Sequence, residues 1–112
     1  MTTDLGAQLR KGVVDSCVLG LLERESMYGW QLSETLVAHG MIASIGTLYP
    51  MLSRLREQGL VTTYAEASES GPVRKYYELT AQGRAQLAVF RLQWAVFVPA
   101  VDSLVGKDET HG

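Results

Sequence analysis

Apolar positions recur at helical spacing along four stretches of the chain and at strand spacing along two. Leu9, Val13, Val14, Cys17, Val18, Leu21 and Leu22 predict one helix with a wide apolar face. Ser26 and the Tyr28-Gly29 pair punctuate the chain. A second helix follows through Trp30, Leu32, Leu36 and Val37, and Gly40 ends it. A third carries Leu48, Met51, Leu52 and Leu55 on one face, with Thr47, Tyr49, Pro50, Ser53, Arg54 and Gln58 off that stripe. Gly59 stops it and Leu60 packs back on its last turn. Its start stays open: Ser44 or Thr47 can cap it, and Pro50 favours a late start. After Gly59 the period changes to that of strands. Residues 61–66 and 73–79 are rich in β-branched and aromatic types, and residues 67–72 have turn composition. This predicts a β-hairpin, with Arg74, Tyr76 and Glu78 on one face and Val73, Lys75, Tyr77 and Leu79 on the other. Thr80 caps a last helix over residues 81–104, apolar nearly all round in its second half.

The expected fold class is mainly α with a β-hairpin (α+β): a winged helix-turn-helix over residues 9–79 and a dimerisation helix over 80–105. Loose ends are expected at 1–8 and 106–112. Arg10 and Lys11 near the start of the first helix and Glu23 near its end oppose the helix dipole, so packing must hold that helix. Arg91, Gln93, Pro99 and Asp102 interrupt the last apolar run, which argues against a membrane span. A helix apolar on several sides in a 112-residue chain implies a second subunit. Pro99 is expected to kink it or to free the carbonyl near Ala95.

Composition changes this picture little. A formal net charge of −2 neither suggests nor excludes nucleic acid, because a local basic patch matters more than the sum. Cys17 is the single cysteine, so no intrachain disulfide can form, which fits a reducing cytoplasm. Its place on an apolar stripe indicates packing rather than chemistry. No signal peptide is evident at the N-terminus. His39 and His111 are the two histidines, and no Ser/His/Asp set, phosphate loop or metal-spaced cluster accompanies them. An enzyme, a metal site and a cofactor are therefore not expected.

From pattern alone, the third helix is either an ordinary amphipathic helix or one that reads nucleic acid. Further motifs favour the second. Tyr28-Gly29, Gly46-Thr47-Leu48-Tyr49-Pro50 with Leu52 and Arg54-Leu55, Glu57-Gln58-Gly59-Leu60, and Arg74-Lys75-Tyr76-Tyr77-Glu78-Leu79-Thr80 with Gly83 occur in this order. Together they resemble the PadR family of winged-helix repressors over roughly residues 9 to 105. The resemblance implies a cytoplasmic regulator, a homodimer on a near-palindromic operator. Residues assigned to DNA are Ser44, Thr47, Tyr49, Pro50 and Arg54 on the recognition helix, Arg74 and Lys75 on the wing, and Tyr28 and Gln31 on the helix crossing the backbone. Lys75 has a second reading, its stem covering core beside Val73 and Tyr77, and Tyr28 and Gln31 have hinge packing as theirs.

The short chain is similar to the family's single-helix branch, of the LmrR kind. In drug-responsive members of that branch two indoles flank a planar aromatic ligand at the dimer centre. Trp94 falls at the matching place, and the resemblance implies a ligand site of Trp94, Phe90, Phe97, Val98 and Val101. Val98 replaces an acidic residue of those proteins, and Pro99 is a second departure. The same aromatics can equally be the core of a dimer. The alternatives in function are a protein-interaction winged-helix module and a regulator with no small-molecule ligand.

Overall fold

The structure is a computed structural model that describes residues 4–69 and 71–107. Its order is α1 (Leu5–Arg10), α2 (Val14–Arg24), β1 (Met27–Tyr28), α3 (Gly29–Ala38), α4 (Ile45–Glu57), β2 (Val61–Ser68), β3 (Gly71–Leu79) and α5 (Ala81–Val105). The N-terminus departs from expectation. The single helix predicted from Leu9 to Leu22 is two helices, because Gly12 takes a left-handed φ of +95°. The stretch expected to be loose, 1–8, is helical from Leu5, capped by Asp4, whose Oδ1 accepts from the Ala7 amide at 3.0 Å. Residues 1–3 and 108–112, expected as loose ends, lie outside the described residues. Leu9 falls on α1 and is 70% exposed, so it is no part of the face that α2 buries through Val14, Val18, Leu19 and Leu22. With α2 starting at Val14, Asp15 in its first turn and Arg24 in its last suit the helix dipole, contrary to the expected opposition.

α3 and α4 end alike. Gly40 and Gly59 have φ of +71° and +77°. Met41 N–H bonds to the Leu36 carbonyl at 2.8 Å, and Leu60 N–H to the Leu55 carbonyl at 3.0 Å. Each closes a Schellman turn that satisfies carbonyls left over at the helix end. α4 starts early, with Ser44 at the N-cap, so Pro50 lies inside the helix rather than in its first turn. Proline has no N–H, so the Gly46 carbonyl lacks its usual partner one turn on. Leu48, Leu52 and Leu55 of α4 are buried against Leu32 and Leu36 of α3 and Val18 and Leu19 of α2.

The predicted hairpin is one edge of a three-stranded sheet, in the order β1-β3-β2. β1 adds two antiparallel pairs, Met27 with Tyr77 and Tyr28 with Tyr76. β2 and β3 pair from Val61–Leu79 outward to Ser68–Gly71, so the strands run into the stretch expected as turn. Val61, Tyr77 and Leu79 are buried at the base, whereas Val73 further out is 65% exposed. The outer half therefore projects as a wing.

Thr80 caps α5 as expected: its Oγ1 accepts from Gly83 N–H at 2.9 Å and donates to the Gly59 carbonyl at 2.7 Å. Gly83 passes the Leu60 carbonyl so closely that a Cβ would collide with it. A bidentate ion pair at 2.8 and 3.3 Å joins Arg91 to Glu23 of α2. α5 continues through Pro99 without interruption, so the expected kink does not break the helix. Only Gly83 and Leu87 of α5 are buried. By length and composition alone this helix could cross a membrane. Its apolar second half is not covered by its own chain.

Candidate nucleic-acid interface

α4 presents two polar flanks around its solvent-facing side. Thr47, Pro50 and Arg54 lie one turn apart along one flank, and Tyr49 and Ser53 along the other. Thr47, Tyr49, Pro50, Ser53 and Arg54 are all exposed, as is Ser44, whose hydroxyl makes no capping bond.

Beside the Tyr49–Ser53 flank lies a cleft of about 300 Å³ between α4, the start of α3 and the wing. Arg74 and Lys75 line it, with Tyr28, Trp30 and Tyr77. Its order comes from aromatic contacts. The Arg74 guanidinium sits 4.6 Å over the Tyr28 ring, and Tyr28 meets Tyr76 edge-on at 5.4 Å. Tyr76 stacks in turn on Tyr64 at 5.5 Å. The wing's charge is thus tied to the helix start by a run of rings. Lys75 lies 5.7 Å from the Tyr77 ring centre yet is exposed, consistent with a stem on the sheet and an ammonium in water. Burial pushes the Tyr77 phenol pKa up.

At the floor, the Tyr49 hydroxyl rests against the first residue of α3. A Cβ on Gly29 would come within 2.7 Å of that oxygen, so the ring could keep this pose only over a glycine. The start of α3 adds the partial positive charge of a helix N-terminus. Gln31 is engaged locally, its Oε1 accepting from Tyr28 N–H at 3.0 Å. The cleft therefore combines two cations, hydroxyl donors and a helix start, a set suited to an anionic oxygen.

Arg54 is not free. Its Nη2 donates to both carboxylate oxygens of Asp15 at 2.8 Å. Asp15 was absent from the sequence-derived set, since nothing local relates it to a residue so distant in the chain. Ser53 and Trp30 were also absent from that set. Ser53 follows Tyr49 by one helical turn, which was the available signal.

The residues expected to bind a ligand share one face of α5. The Phe90 and Trp94 rings stack at 5.5 Å and 22°. Phe97, Val98 and Val101 continue that face, with Trp94 44% and Phe97 61% exposed. Within one chain this is an open surface. Cys17 is half-buried and burial raises its thiol pKa, as suits packing.

The family model for the PadR-like transcriptional regulators matches residues 18–89. The transcriptional regulator Rv3488 of Mycobacterium tuberculosis is 39% identical over 86 residues, 77% of this chain and 78% of that protein. A PadR-like regulator of Bacillus cereus superposes with a TM-score of 0.82 at 36% identity, covering 90% of this chain and 99% of that one. The Bacillus subtilis PadR, solved in complex with operator DNA, shares the fold at a TM-score of 0.63 and 23% identity, over 70% of this chain and 46% of that one.

Proposed function

Because the chain belongs to the PadR-like family of transcriptional regulators, we propose that it is a cytoplasmic repressor that binds operator DNA as a homodimer. The observation that carries this reading is the cationic, ring-ordered cleft beside the exposed face of α4. In it a backbone phosphate meets Arg74, Lys75, the Tyr49 and Ser53 hydroxyls and the start of α3. Such a contact fixes register, and the α4 front then meets base edges in the major groove. Thr47 and Pro50 suit a thymine methyl, and Ser44 a phosphate. The fold is shared with a Bacillus subtilis protein that binds operator DNA.

Two exposed apolar surfaces support the dimer: Leu5 and Leu9 on α1, and Val89, Leu92, Val96, Phe97, Leu104 and Val105 on α5. A second copy covers them in the proposed assembly. Two α4 helices about one DNA turn apart then require a near-palindromic operator. A planar aromatic ligand between the two Trp94 indoles releases the DNA by favouring a dimer in which that spacing is wrong.

The test is the salt dependence of duplex binding. Arg74→Ala and Lys75→Ala should weaken binding to every sequence and flatten log K against log salt by about 0.9 per lost phosphate contact. An unchanged slope in both variants removes the wing from the interface. Absence of salt-sensitive duplex binding by the wild-type protein would favour a protein-interaction module.

A further inference from the structure

The Asp15–Arg54 pair joins the first turn of α2 to the flank of α4 that also carries Thr47 and Pro50. Its side chains are 37% and 51% exposed. An ion pair this open to water contributes little to stability, and it restricts two side chains that would otherwise move. Its geometry indicates a different role. Both carboxylate oxygens are taken by the single nitrogen Nη2. No other acceptor among the described residues engages the guanidinium, so Nη1 and Nε keep their hydrogens available.

We infer that Asp15 is a specificity-determining residue, one that holds Arg54 in a single pose for a base edge and withholds it from indiscriminate phosphate contact. The inference rests on the DNA-binding reading above. An unrestrained arginine on α4 would be drawn to any phosphate, a gain independent of sequence. Buttressed by a carboxylate, the same arginine is ordered before binding and loses less freedom when its remaining Nη1 hydrogens meet a single base-edge acceptor such as guanine O6 or N7. Arg56, the other arginine in the last turn of α4, has no such partner among the described residues.

The experiment uses the full chain as wild type, Asp15→Ala, Asp15→Asn, Arg54→Ala and the Asp15→Ala/Arg54→Ala double variant. Each is titrated with two duplexes: one enriched by the wild-type protein from a random-sequence pool, and the unselected pool. Both Asp15 variants should bind the unselected pool about 3- to 10-fold tighter, with a salt slope steeper by about one unit, as one added phosphate contact requires. Their preference for the selected duplex should fall about tenfold. In the Arg54→Ala background, Asp15→Ala should change nothing further, because the effect runs through that arginine. An unchanged preference in both Asp15 variants overturns the inference. So does an effect that persists without Arg54, which would mark a general charge effect. A wild-type protein that enriches no sequence and binds neither duplex overturns the DNA-binding reading itself, a result distinct from either. Thermal melts of the Asp15 variants should overlay the wild type closely, since the pair is open to solvent.

Discussion

In the candidate interface Gly29 lies in close contact beneath the Tyr49 ring. Its ideal Cβ would lie 2.7 Å from the hydroxyl oxygen and 3.0 Å from the ring carbon Cε1. Gly29→Ala must therefore push the ring outward and change the floor of the cleft. The expected cost is at most about 1 kcal/mol, below the range for overpacking a core, because the ring is 48% exposed and can turn outward. Chemical denaturation should read that loss, and duplex affinity should fall for all sequences alike because the ring borders the phosphate cleft. A variant as stable as wild type would mean that the ring moves freely. The sequence shows a Tyr-Gly pair at a helix start, and from the pair alone the glycine reads as turn punctuation. Its contact is with a side chain from the next helix, which no local pattern reveals. The Arg54–Asp15 pair was hidden for the same reason, whereas Arg74 and Lys75 stand out as adjacent cations in an otherwise aromatic strand.

Among the elements, α5 meets the rest of its chain through Gly83, Leu87 and the Arg91–Glu23 pair. The Arg91 hydrogen bond, and then its charge, holds the Glu23 carboxyl below the ordinary carboxylate range. A carboxyl whose pKa is lowered on folding favours the folded state fully above its unfolded pKa. That contribution is lost as pH falls through the folded value. Glu23→Gln should therefore lower the melting midpoint slightly near neutral pH, and the difference should vanish in acid. Melts across that range check it, and a difference independent of pH would assign the effect to packing. α3, α4 and the hairpin were legible because each repeats its apolar period, and α5 because a long apolar run follows the capping Thr80. The division of α1 from α2 was not, since Leu9 and Val13 continue the α2 period across Gly12. Neither was β1, whose two residues are too few to show alternation and which exists only by pairing with Tyr76 and Tyr77.

For the whole molecule, the exposed apolar surface of α5 makes the proposed partner copy a condition of stability. The melting midpoint should rise with protein concentration, as it does for any chain stabilised by self-association. Phe97→Glu, which places a charge on that surface, should yield monomers by analytical ultracentrifugation. A Phe97→Glu dimer of wild-type affinity would exclude this face. Trp94→Ala should weaken binding of planar aromatic compounds and spare DNA affinity, and unchanged ligand affinity would move the sensor elsewhere. The uncovered apolar surface of α5 was itself legible, because a helix apolar nearly all round has no room to be buried in a chain this short. Mechanically, α5 is a rod of 25 residues, about 37 Å long, clamped near one end. Beyond Arg91 none of its residues is buried against its own chain. Held at its far end by the proposed partner copy, such a rod becomes a lever whose moving end carries the winged helix. A tilt of about 5° at the free end carries the other end through about 3 Å, close to the roughly 3.4 Å between successive bases of one strand. In the proposed dimer, an angular change of that size at the interface would amount to a displacement of about one base step along the DNA.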